Sequence, residues 1–126
     1  MEKKIIKTDQ APKAIGPYSQ AVMVGDFLFA SGQIALDPAT GEMVEGGIEA
    51  QATRVMENIK NILAAAGMDF SNVVKSTIFI TDINNFAKVN EIYGKYFPEN
   101  PPARSTIEVS KLPKGALIEI EVIAHR

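Results

Sequence analysis

Only two stretches of this sequence repeat apolar residues at helical spacing while six others read as strands, and this imbalance limits the architectures open to the chain. The first helical stretch runs from Ile48 through Ala52, Val55, Met56, Ile59 and Leu63 to Ala66, with Gly67 as its stop. The second places Phe86, Val89, Ile92, Tyr93, Tyr96 and Phe97 on one stripe. Asp82 or Asn84 is its expected cap, and it must end before the Pro98–Pro102 stretch. Strands are expected over Lys3–Lys7, Ser19–Val24, Phe27–Ala30, Val73–Thr81, Arg104–Val109 and Ala116–Ala124. The dipeptide Gly25-Asp26 suits a two-residue hairpin, and turns are expected at 37–41 and 113–115.

Helices about 10 Å wide cannot cover both faces of such a sheet in pairs, since its strands lie about 4.8 Å apart. If both pack on one side, the other side needs water or a partner. In the last strand, Ile118, Ile120 and Val122 share one face, while Leu117, Glu119, Glu121 and Ile123 share the other. That mixed face fits a subunit interface holding a polar pocket, or a solvated face with scattered apolar residues, and the pattern leaves both open.

The 126 residues suffice for a single domain, 1–126, and 46% hydrophobic with 22% charged residues is the balance of a folded globule. No run of 18 apolar residues and no secretory leader is evident, so a cytoplasmic protein is expected. A net charge of −2 with a pI near 5.4 argues against nucleic acid as the main partner. Without cysteine there is no thiolate nucleophile and no cysteine-ligated zinc, and the single histidine, His125, would have to carry any triad alone.

Gly41–Gly47 spaces its glycines somewhat like a phosphate loop but lacks the Gly-Lys-Ser/Thr ending, so it reads as a turn into the first helix. Glu119 and Glu121 stand two apart on one strand face, a spacing that paired-carboxylate hydrolases use and that a solvated strand face shows equally well. Pro101-Pro102-Ala103 leads stiffly into Arg104, whose planar fork matches a carboxylate. The plainer reading of Arg104 is a salt bridge, with Glu119 as one partner. Gly16-Pro17-Tyr18 and Ser31-Gly32-Gln33 are turns or pocket walls.

Together, Gly16-Pro17-Tyr18-Ser19-Gln20, Ser31-Gly32-Gln33, Pro102-Ala103-Arg104-Ser105 and Ile118-Glu119-Ile120 resemble the YjgF/Rid family of enamine and imine deaminases, in order and along the whole chain. The resemblance implies an α+β, chorismate-mutase-like fold: a mixed sheet of about six strands with two helices on one face, assembled as a homotrimer with sites at subunit boundaries. It also implies hydrolysis of 2-iminobutanoate and 2-iminopropanoate, the tautomers of 2-aminocrotonate and 2-aminoacrylate, to 2-oxo acids and ammonia.

Carried onto this sequence, Arg104 would pair with the substrate carboxylate, and Glu119 would position or activate water. Tyr18 would wall the pocket, and backbone near Gly32 and Thr106 would orient imine and water. Ser31 and Asn90 are weaker candidates. No metal or cofactor is expected, since a protonated imine carbon is already electrophilic. Two departures stand out: threonine replaces the cysteine that some members carry at position 106, and the Tyr96–Arg104 connector is short and proline-rich. The competing readings are a noncatalytic trimeric binder of 2-oxo or imino carboxylates and an RNA-acting translation inhibitor or endoribonuclease.

Overall fold

A computed structural model describes residues 2–126. The elements are β1 (Lys3–Ile6), β2 (Ala21–Val24), β3 (Phe27–Ala30), α1 (Ile48–Ala65), β4 (Val73–Ile80), α2 (Phe86–Lys95), β5 (Ala103–Glu108) and β6 (Ile118–His125). One six-stranded sheet has the order β1-β2-β3-β6-β4-β5, with β4 and β5 parallel and the other neighbours antiparallel. This is the expected α+β class.

The alternation within each strand divides the sheet. On one face Met23, Leu28, Ile78, Ile80, Ile118, Ile120 and Val122 are buried against Val55, Met56, Ile59, Ile62 and Leu63 of α1 and Val89 and Tyr93 of α2. Full burial of each large aliphatic side chain contributes about 1.5–3 kcal/mol, so this layer supplies the main driving force for folding. On the opposite face, pairing brings together Ile5 with Val22, Val22 with Phe29, Phe29 with Ile123 and Phe79 with Glu119. Phe27 and Phe29 remain 44% and 43% exposed there, so the helix-free face exposes large apolar side chains beside polar ones such as Lys75, Thr77 and Glu121. Among the described residues, no helix is long and apolar enough to cross a membrane.

Most differences from the sequence reading are at element ends. Asp82 does cap, but its side chain accepts from Asn84 N and starts a single 3₁₀ turn, Ile83–Asn85, ahead of α2. Ser19 and Gln20 lie outside β2: Gln20 receives the Thr8 amide and donates to the Thr8 and Pro12 carbonyls of the preceding loop, while the Ser19 carbonyl accepts from the Ser31 hydroxyl. Leu117 precedes β6, its amide held by the buried Gln51 side chain at 2.9 Å.

Candidate active site

Glu119 is displayed by the alternation of β6, between the buried Ile118 and Ile120, and so faces away from the helices. Beyond β3 the chain continues alongside β6 through paired bonds between Gln33 and Ile120, 2.9 Å and 3.1 Å long. This pairing draws Gly32 onto the Glu119 side chain. A Cβ at Gly32 would lie 2.8 Å from Glu119 Cδ and 3.0 Å from Cγ, with Oε2 nearer still, so only glycine leaves the carboxylate its place. Ser31 is fixed beside it, its amide on the Gln20 carbonyl and its hydroxyl donating to the Ser19 carbonyl at 2.6 Å.

These groups border a cleft of about 510 Å³ whose walls include Lys13, Ile15, Tyr18, Ser31, Lys114 and Glu119. Tyr18 is half exposed and its hydroxyl accepts from the Ile15 amide at 3.3 Å, which ties the ring to the loop that closes the cleft. Burial raises the Glu119 pKa above its ordinary value, and the neighbouring Glu121 charge adds to the rise. The result is a partly desolvated carboxyl suited to taking and returning a proton.

Arg104 belongs to the other face. Its partner in the parallel β4–β5 register is Ser76, and Thr106 pairs with Ile78, so both side chains share the helix-bearing side. There the Arg104 guanidinium carbon lies 5.0 Å from the Tyr93 ring centre and 5.4 Å from that of Phe86. The Tyr93 hydroxyl is hydrogen-bonded to Ser76 Oγ at 2.5 Å. Among the described residues no carboxylate pairs with Arg104, the one ion pair being Lys88–Glu49 on the surface. Two residues along, Thr106 Oγ1 is buried without a hydrogen-bond partner. Asn90 is exposed on α2, one turn from Phe86 and from Tyr93.

The structure therefore collects Tyr18, Ser31, Gly32 and Glu119 in one cleft, and Arg104 with Thr106 on the far side of the sheet beside the helix that carries Asn90. It does not bring the two groups together within one chain. Glu119 is opposite Phe79, which is opposite Ile107, three residues from Arg104; strand geometry puts the two Cα atoms roughly 14 Å apart with side chains on opposite faces. An intrachain Arg104–Glu119 salt bridge, one expectation from the sequence, is excluded by that placement. The sequence reading also missed Lys13, Lys114 and the aromatic neighbours of Arg104. The sequence places Phe86 and Tyr93 on the apolar stripe of the second helix, and their spacing with Asn90, four and three residues apart, is the signal for a shared face.

The geometry defines a class: a small α+β protein with a six-stranded mixed sheet, a glutamate cleft on one face and an arginine between two aromatic rings on the other. The family model described as Endoribonuclease L-PSP matches residues 8–126. Protein DfrA of Myxococcus xanthus is 63% identical over 98% of this chain and 96% of its own length. The human 2-iminobutanoate/2-iminopropanoate deaminase is 52% identical over 97% of this chain and 89% of its own. Among solved structures, Escherichia coli TdcF with bound serine superposes with a TM-score of 0.93 at 46% identity, covering 98% of both chains. The Rid-family protein YyfA of Yersinia pestis gives 0.97 at 55% identity, covering 99% of this chain and 100% of that one. The chain belongs to the Endoribonuclease L-PSP family, also called YjgF/Rid.

Proposed function

We propose that this protein is an imine deaminase, hydrolysing 2-iminobutanoate and 2-iminopropanoate to 2-oxo acids and ammonia in a homotrimer. Each site would join the Glu119 cleft of one subunit to the Arg104 side of the next. The observation that carries the reading is the placement of Arg104 and Glu119 on opposite faces of one sheet, which a site shared between subunits would unite. Heterologous contacts between such halves close into a ring where the rotation permits, and the exposed Ile5, Phe27 and Phe29 of the helix-free face offer apolar surface to cover. The deaminase named among the relatives supports the choice of reaction.

In this scheme Arg104 binds the substrate carboxylate through its fork, and Thr106 Oγ1 gains a partner when the site is assembled. Glu119 accepts a proton from water as the water oxygen bonds to the protonated imine carbon. Glu119 passes that proton to the nitrogen and then takes the hydroxyl proton as the C=O bond forms and the C–N bond breaks, so that ammonia leaves with a 2-oxo acid behind. A carboxyl of raised pKa is matched to both proton transfers. The expected setting is the cytoplasm, where pyridoxal-phosphate dehydratases release such imines from serine and threonine.

A coupled assay tests the proposal: a dehydratase generates the imine and its absorbance is followed with and without this protein. Wild type should speed the decay, and Arg104→Ala should reduce kcat/KM by roughly 30-fold or more, the cost of removing one partner of a desolvated charge pair. Decay unchanged by the wild-type protein would sink the deaminase reading and leave the carboxylate-binding one.

A further inference from the structure

We propose that Phe86 and Tyr93 form an aromatic clamp that fixes the plane of the Arg104 guanidinium, making them positioning residues for carboxylate recognition. The inference rests on the role given to Arg104 above. A long arginine on an edge strand, without an acidic partner among the described residues, would ordinarily sample many rotamers. Here its charged end lies within cation–π range of two rings, at 5.0 Å and 5.4 Å. Phe86 and Tyr93 stand seven residues apart, two turns along one face of α2, so the guanidinium is held against that face at two points. The π-faces satisfy the cation without using its N–H donors, which stay available to a carboxylate.

The two rings differ in rigidity. Tyr93 is 5% exposed, and its hydroxyl is bonded to Ser76, itself 1% exposed and the register partner of Arg104. The strand residue beside Arg104 thus holds the ring that faces it. Tyr93 also packs on Phe97 at 4.7 Å between ring centres, so part of its role is in the core. Phe86 is half-buried and stands apart from the Phe70–Tyr96–Phe97 ring contacts, with the Arg104 guanidinium over its ring. Ordering the fork before the ligand arrives lowers the entropy lost on binding.

The test uses the intact protein as wild type, Phe86→Leu, Phe86→Tyr and Arg104→Ala. Pyruvate affinity is measured by titration, KM and kcat by the coupled assay, and the Arg104 Nε–H resonance by NMR. Phe86→Leu should weaken pyruvate binding about 5- to 30-fold and move the Arg104 resonance toward its random-coil position. KM should rise in parallel while kcat stays within about twofold, the pattern of lost ground-state and transition-state binding alike. Phe86→Tyr, which keeps the ring, should restore both affinity and resonance. Loss of thermal stability alone, with affinity and resonance unchanged in Phe86→Leu, would overturn the clamp while the deaminase reading stands. Wild-type pyruvate binding by Arg104→Ala would instead overturn the carboxylate role of Arg104, and the clamp with it.

Discussion

Gly32→Ala is the smallest change that should disable the proposed proton carrier without touching it. Gly32 is absent from the glycines of positive φ, so its backbone accepts alanine, and the whole effect must come from the added methyl. That methyl would stand 2.8 Å from Glu119 Cδ and 3.0 Å from Cγ, where carbon atoms rest at about 3.5–4.0 Å. Relief requires the carboxylate to move by close to an ångström. The carboxylate is the far end of a flexible side chain bordering a cleft, so it can swing aside at little cost in stability, whereas a misplacement of about 1 Å at a reacting group costs on the order of 100-fold in rate. Imine hydrolysis by Gly32→Ala should show that loss, with thermal melting close to wild type. Turnover within a few-fold of wild type would refute the reasoning.

Because burial raises the Glu119 pKa in the fold, the folded chain holds that proton more tightly than the unfolded one does. Ionised Glu119 thus opposes folding above its folded pKa, and the penalty is relieved as pH falls through that value. Glu119→Gln should therefore melt higher than wild type near neutral pH while losing turnover, read by calorimetry and the coupled assay. The acid limb of the wild-type kcat/KM profile should lie above the ordinary carboxylate range, and Glu121→Gln, by removing a neighbouring negative charge, should shift it to lower pH with kcat largely kept. Sedimentation equilibrium should give a mass about three times the 13.7 kDa chain, and a monomer at micromolar concentration would remove the assembly.

The sheet and both helices were legible because their patterns are strong: Ile118, Ile120 and Val122 alternate without interruption, and α1 repeats apolar residues over five turns. Element ends were less so, since Ser19, Gln20 and Leu117 are withdrawn from strands by hydrogen bonds to residues far along the chain. The Glu119–Gly32 contact could not be read from spacing, because it depends on the Gln33–Ile120 pairing across 87 positions of sequence. The face occupied by Arg104 depends likewise on the β4–β5 register. Family resemblance singled out Arg104 and Glu119 as residues; only the sheet geometry shows them pointing apart.

That separation is the central claim, and subunit mixing tests it most directly. Arg104→Ala keeps the Glu119 cleft, and Glu119→Gln keeps the Arg104 side. Co-refolding equal amounts of the two inactive variants should create boundaries where both intact halves meet. With random assembly into a closed ring, about one quarter of the boundaries pair an intact cleft with an intact arginine, so about one quarter of wild-type activity should return. Activity no greater than that of the separate variants, in mixtures shown to contain hybrid oligomers, would contradict a site shared between chains.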